Sequence, residues 1–182
     1  MPKWLNLPNL FTLLRLALAP FIIAAILHGR HLMALELFSA AAVTDLLDGA
    51  TARHFGWTTT AGAYLDPIAD KILLSGIYVA LAVAGCVPLW LVVLIFGRDL
   101  LILGSSGAAL CFSKIRAFAP SIWGKCSTFF QIVTAVAWIA QNAFPSPAFY
   151  RAAQALIWPT AVLTVWSGLH YFWRGLRLAR SN

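Results

Sequence analysis

Six apolar stretches follow one another along the chain, separated by short breaks marked with glycine, proline or charge. They run near 7–28, 31–53, 61–84, 88–112, 121–144 and 150–173, and each is close to the 20 or so apolar residues that a bilayer-spanning helix needs. The breaks carry turn chemistry: His28-Gly29-Arg30 after the first stretch, Gly85 to Pro88 after the third, and Pro145-Ser146-Pro147 after the fifth. The pattern predicts an all-α fold: a polytopic integral membrane protein built as a bundle of six transmembrane helices. Residues 1–182 are expected to form one membrane domain, with no internal repeat. The first stretch contains Arg15 and is longer than a signal-peptide core, so a retained helix is expected there.

Composition sharpens this picture. Of the 182 residues, 61% are hydrophobic and only 10% are charged, against about 25% charged in a soluble domain. So few charges could not cover a water-facing surface of this size, which excludes a cytosolic enzyme, a secreted disulfide scaffold and a disordered tail. The three cysteines, Cys86, Cys111 and Cys126, show no C-x-x-C spacing and are read as small apolar side chains. The net charge of +7 comes from basic residues that punctuate apolar segments, a distribution that suits anionic lipid and phosphate-bearing substrates and not nucleic acid. With the amino terminus in the cytoplasm, that side collects Lys3, Arg53, Lys114, Arg116, Lys125, Arg174, Arg177 and Arg180, and the other only Arg30 and Arg151. Both termini are therefore expected on the cytoplasmic side. Trp4, Trp90 and Trp173 are expected as interfacial anchors, and His54 as a head-group residue.

The acidic residues carry the candidate chemistry. There are six, and four of them, Asp45, Asp48, Asp66 and Asp70, fall within 26 residues at the junction of the second and third stretches. A carboxylate at membrane depth costs several kcal/mol, so this concentration points to a site. Asp45 and Asp48 share one helix face and Asp66 and Asp70 another. Carboxylates gathered in a low dielectric repel strongly. Divalent cations relieve that repulsion, and an oxygen-only set favours Mg²⁺, Mn²⁺ or Ca²⁺ over zinc. The expected centre holds two metals. Gly49 and Ala52 keep the helix slim, and Arg53 offers a planar fork for phosphate oxygens. Two metals with a basic clamp suit in-line displacement at phosphorus. The competing readings are buried ion pairs with Arg53, Lys71 and Arg98, and the ion pathway of a cation transporter.

The stretch Asp45-Leu-Leu-Asp48-Gly49-Ala-Thr-Ala52-Arg53, then eight residues, Gly62, three residues, Asp66, three residues and Asp70 resembles the signature of the CDP-alcohol phosphatidyltransferases, D-x2-D-G-x2-A-R-x8-G-x3-D-x3-D. All eight defined positions are present at the family spacing. An early Pro8-Asn9-Leu-Phe-Thr12-Leu-Leu-Arg15 is similar to the family's first helix. The resemblance implies transfer of a phosphatidyl group from CDP-diacylglycerol to an alcohol with release of CMP, at the cytoplasmic leaflet, by a homodimer. It implies Asp45, Asp48, Asp66 and Asp70 as ligands of two Mg²⁺ or Mn²⁺ ions, with Asp70 also the catalytic base for the acceptor hydroxyl. It implies CDP-binding roles for Gly49, Ala52, Arg53 and Gly62, joined by Thr59, Asn9 and Thr12, with Arg15 near the diphosphate.

Acceptor choice divides the family, and the candidates for reading the acceptor are Arg98, Asp99, Lys114, Arg116 and Lys125. The chain resembles the cardiolipin synthase and phosphatidylglycerophosphate synthase branch through Leu65-Asp66-Pro67-Ile-Ala-Asp70-Lys71. Gly97-Arg98-Asp99 and Pro120-Ser-Ile-Trp-Gly-Lys125-Cys-Ser-Thr128 are similar to cardiolipin synthases, and Ser127 stands where glycerol-phosphate enzymes carry a second lysine. Fewer cations imply phosphatidylglycerol as acceptor, the cardiolipin synthase reaction. The alternative is a phosphatidylglycerophosphate synthase using glycerol 3-phosphate.

Overall fold

The structure, a computed structural model, describes residues 7–55, 60–112 and 121–180, with side chains over 12–44, 69–104 and 121–174. Six helices and no strands occur among the described residues: α1 Leu7–Leu27, α2 His31–Phe55, α3 Thr60–Val83, α4 Leu89–Phe112, α5 Ile122–Ala143 and α6 Pro147–Arg180. Five of them lie within a few residues of the predicted stretches.

The two glycine-marked turns explain the sharp ends of α1 and α3. Gly29 and Gly85 adopt φ of 70° and 74°, which glycine reaches without the Cβ clash other residues meet. In each turn the glycine N–H and the next N–H return to the helix: Gly29 to Ile26 O and Arg30 to Ala25 O, then Gly85 to Ala82 O and Cys86 to Leu81 O. These paired bonds close the orphan carbonyls of both helix ends. At the start of α5, the Ser121 hydroxyl accepts from Gly124 N at 3.0 Å. α6 opens earlier than the apolar pattern predicts, because Pro147 takes the first helical position, where its missing N–H is not needed, and Ser146 Oγ accepts from Phe149 N. It also continues past Trp173 to Arg180, since a fall in hydropathy does not itself end a helix.

α1 is the wall shared by α2 and α3, each of which packs extensively on it, while α6 packs on α5 and α4, and α2 touches α5. α1 and α3 run parallel, since Arg15 meets Asp70 and, eight residues on, Ile23 lies over Gly76. A core of buried apolar residues draws from all six helices, including Ile22, Phe38, Ile77, Leu91, Ile139 and Ile157.

A second kind of core runs between α5 and α6. Ser127, Gln131 and Thr134 on α5 and Thr160, Thr164 and Ser167 on α6 are all buried, spaced at four and three residues so that each row faces the other helix. Thr134 and Thr160 share a hydrogen bond of 2.7 Å. Ser127 and Thr164 share one of 3.2 Å, and Gln131 Nε2 donates to both of those hydroxyls. Small polar residues that bond across the contact draw two apolar helices together where lipid would otherwise solvate them equally well.

The outer surface is apolar. Phe21, Val83, Val93, Leu100, Trp158 and Trp173 are each more than 60% exposed, which demands an apolar environment. By length and composition, Ile122–Ala143 and Pro147–Arg174 qualify as membrane spans among the described residues.

Candidate active site

The fold brings the acid-bearing ends of two helices to one end of the bundle. Asp45 and Asp48 lie in the carboxy-terminal half of α2 and Asp66 and Asp70 in the first half of α3. α2 runs back along α1 after the Gly29 turn while α3 runs with α1, so α2 and α3 are antiparallel. Their acidic segments both lie towards the amino-terminal end of α1. The side chains of Asn9, Asp45, Asp48, Gly49, Ala52, Arg53, Gly62 and Asp66 fall outside the described ones, as do Thr59, Lys114 and Arg116 altogether.

Asp70 is the described member of the carboxylate set. Its side chain is 51% exposed, and it forms an ion pair with the guanidinium of Arg15, which is 2% exposed. A sequence separation of 55 residues hides this pairing from any local pattern. Arg15 is thus a buried cation set against the carboxylate that the resemblance implies as base. Thr12, three residues earlier on α1, is fully buried.

A second charged network begins at the next residue. Lys71 on α3 forms an ion pair with Asp99 on α4, and Asp99 Oδ1 also accepts from Arg98 Nη1 at 2.7 Å. Arg98 is 7% exposed and reaches α5 and α6. Its Nε and Nη2 donate to Ser167 Oγ at 3.4 and 3.2 Å, and Nη2 donates to Gly124 O at 3.4 Å. A Cβ on Gly124 would stand 3.0 Å from Tyr171 Oη and 3.3 Å from Arg98 Nη2, so a glycine is what permits this approach. Tyr171 Oη accepts from Ser121 N at 2.8 Å. Arg98 is therefore a cross-link joining α4 to α5 and α6, and Asp99 carries it on to α3. Of the acceptor candidates, the structure gathers Arg98 and Asp99 into one cluster and leaves Lys125 exposed beside it on α5. Lys71, Ser167, Tyr171 and Gly124 are the cluster members that the sequence did not single out for the acceptor. Their signal, a lysine after an aspartate and isolated small residues in apolar helices, is too common to read alone.

Ser127 has a different meaning in three dimensions. It is fully buried and bonded to Thr164 and Gln131, so its identity here reflects packing between α5 and α6 and not the number of cations facing an acceptor.

The two helices that carry the four aspartates have their acidic segments at the same end of α1, and carboxylate oxygens are the ligand type that Mg²⁺ and Mn²⁺ favour. The neighbouring Arg15 and Lys71 are already committed to carboxylates.

A family model described as CDP-alcohol phosphatidyltransferase matches residues 5–166. The chain is 35% identical over 179 residues to a probable phosphatidylglycerophosphate synthase of Mycobacterium tuberculosis, spanning 94% of this chain and 82% of that protein. It is 31% identical over 190 residues to a CDP-diacylglycerol–glycerol-3-phosphate 3-phosphatidyltransferase of Bacillus subtilis, spanning 94% and 97%. A rat cardiolipin synthase (CMP-forming) is 39% identical over 101 residues, spanning 55% of this chain and 33% of that protein.

Proposed function

The chain belongs to the CDP-alcohol phosphatidyltransferase family, and on that premise we propose that it transfers the phosphatidyl group of CDP-diacylglycerol to glycerol 3-phosphate and releases CMP. The observation that supports the acceptor is the alignment along 94% of the chain with a probable phosphatidylglycerophosphate synthase and a glycerol-3-phosphate phosphatidyltransferase, which it spans to 82% and 97% of their own lengths. The rat cardiolipin synthase aligns along 55% of the chain, and a Schizosaccharomyces pombe cardiolipin synthase–hydrolase fusion along 91% of the chain but 30% of its own length. The expectation of phosphatidylglycerol as acceptor gives way to this alternative. It leaned on Gly97-Arg98-Asp99, on the stretch from Pro120 to Thr128 and on Ser127, and the burial of Ser127 in the α5–α6 seam weakens the part that argued from missing cations. Family membership also displaces the cation-transporter reading of the carboxylates.

In this reading Asp45, Asp48, Asp66 and Asp70 hold two divalent cations, Mg²⁺ or Mn²⁺. When bound, these neutralise the diphosphate and stabilise charge on the departing CMP. Asn9, Thr12, Gly49, Ala52, Arg53, Thr59 and Gly62 receive the CDP portion. Asp70 takes the proton of the acceptor hydroxyl. The acceptor oxygen forms a bond to the phosphorus bearing diacylglycerol, the bond from that phosphorus to the bridging oxygen breaks, and CMP leaves with the electron pair. Placement makes Asp70 effective, and Arg15, fixed by burial, supplies that placement. Arg98, Lys114, Arg116 and Lys125 offer their cations to the phosphate of the acceptor, with Asp99 orienting Arg98, and the Arg98 cross-link keeps α4, α5 and α6 in register. The six helices span the membrane with the acidic end on the cytoplasmic side.

The deciding experiment supplies the purified protein with CDP-diacylglycerol and Mg²⁺, offers glycerol 3-phosphate and phosphatidylglycerol in parallel, and identifies the lipid product by mass. Phosphatidylglycerophosphate with stoichiometric CMP is expected, lost after chelation and restored by Mg²⁺ or Mn²⁺. Cardiolipin from phosphatidylglycerol, with no product from glycerol 3-phosphate, would reverse the acceptor assignment. Turnover that survives chelation would remove the metals.

A further inference from the structure

The charged network beside Asp70 is not balanced. Asp99 Oδ1 receives both the Lys71 ammonium and Arg98 Nη1, so a single carboxylate stands against two cations. An uncompensated cation in an apolar bundle is expensive to keep, and an anionic ligand is what would balance it.

The two cations differ in what they can offer such a ligand. The Arg98 side chain is 8% exposed, and its three guanidinium nitrogens all donate within the protein: Nε to Ser167 Oγ, Nη2 to Ser167 Oγ and Gly124 O, and Nη1 to Asp99. It cannot turn towards a ligand without releasing α5 and α6. The Lys71 side chain is 35% exposed, and its ammonium has three donors on a flexible stem. Its contact is with Asp99, which is 15% exposed and stays held by Arg98 when the lysine departs. Arg98 is the fixed cation of the pair and Lys71 the movable one.

Position adds a second argument. Lys71 follows Asp70 on α3, and consecutive residues of a helix point about 100° apart, so Asp70 meets α1 while Lys71 meets α4. Asp70 is 51% exposed, which leaves a carboxylate and an ammonium on adjoining faces of one helical turn. Glycerol 3-phosphate carries its attacking hydroxyl and its phosphate at opposite ends of a short carbon chain. Such a molecule can set the hydroxyl at Asp70 and the phosphate at Lys71.

We propose that Lys71 captures the phosphate of the acceptor by exchanging Asp99 for it, and so selects a phosphate-bearing acceptor at the base. Asp99 is the counter-ion that occupies the lysine until the acceptor arrives, and Arg98 holds Asp99 in place throughout. This inference rests on glycerol 3-phosphate as the acceptor.

The full chain in mild detergent is assayed with CDP-diacylglycerol and Mg²⁺, and KM is measured separately for each substrate. Lys71→Met is expected to raise the KM for glycerol 3-phosphate at least about tenfold, the worth of one charge-assisted contact, with little change in the KM for CDP-diacylglycerol. Lys71→Arg is expected to recover most of the loss. Asp99→Asn keeps an oxygen for Arg98 and removes the charge that competes for Lys71, so its KM for glycerol 3-phosphate is expected to equal or fall below that of the wild type. A purely structural Lys71–Asp99 brace predicts instead that Lys71→Met and Asp99→Asn weaken the acceptor alike, and that result overturns the proposal. A Lys71→Met KM matching the wild type overturns it as well. Gel filtration checks folding, and Lys71→Gln, uncharged but still a donor to Asp99, carries the comparison where Lys71→Met does not fold. A wild-type protein that makes no product from glycerol 3-phosphate removes the acceptor reading itself, and the proposal with it.

Discussion

Asp70 and Arg15 divide a single ion pair unequally between water and protein: the carboxylate is half exposed and the guanidinium is buried. The arginine is therefore the fixed partner, and the carboxylate is the one available to a substrate. Asp70→Asn keeps an oxygen for Arg15 while losing the capacity to take a proton. Turnover is expected to fall about 10²- to 10⁴-fold, the range general-base groups contribute, with the thermal unfolding midpoint little changed. Near-wild-type CMP release from this variant would strip Asp70 of its assignment as base. Gly124 is the second residue whose role lies in its surroundings. Gly124→Ala places a Cβ against Tyr171 and Arg98, and overpacking of this kind typically costs about 1–3 kcal/mol. A lower unfolding midpoint is expected together with a raised KM for the acceptor and little change in that for CDP-diacylglycerol. Unaltered midpoint and KM values would show that the Arg98 cross-link is slack. The carboxylates themselves were legible in the sequence because acids in apolar helices are rare and their spacing is helical. The Arg15 and Lys71 pairings were not, since they depend on how α1 and α4 lean on α3.

At the scale of elements, helix placement followed from apolar length and from glycines that close their turns. The α5–α6 seam did not. A threonine in an apolar helix can satisfy its hydroxyl on its own backbone, as Thr164 does on Thr160 O at 2.7 Å, so its presence says nothing about a neighbour. Only the pairing of two rows reveals the function. Thr134→Val and Thr160→Val are each expected to destabilise the protein by about 1 kcal/mol. Their double variant should lose less than the sum, with a coupling on the order of 0.6 kcal/mol, as interhelical hydrogen bonds in membranes show. Strict additivity in a double-mutant cycle of detergent unfolding would mean that the 2.7 Å contact contributes no energy of its own.

For the whole molecule, the distribution of side chains separates two ends. Among the described residues, ion pairs gather where Asp70 and Lys71 of α3 meet α1 and α4, and uncharged aromatic groups gather where α5 turns into α6. The proposed orientation sets the first of these towards the cytoplasm. In a variant freed of Cys86, Cys111 and Cys126, a single cysteine at exposed Lys125 should resist a membrane-impermeant maleimide added outside sealed cells. One at exposed Ala148 should react readily. The reverse pattern would invert the topology and move catalysis to the other leaflet. The class of reaction could be read from eight residues of the chain. The acceptor could not: Ser127, one of the residues that argued for phosphatidylglycerol, is a packing residue once the helices are assembled.

The 34 residues of α6 measure about 51 Å along the axis, whereas the hydrocarbon slab is about 30 Å thick. Some 20 Å of continuous rod must then either emerge from the bilayer or force a pronounced lean. In the upright case the stretch bearing Arg174, Arg177 and Arg180 becomes a stiff mast above the lipid phosphates. In the proposed reaction it would hold positive charge at a set height above the membrane, where a soluble anionic acceptor approaches.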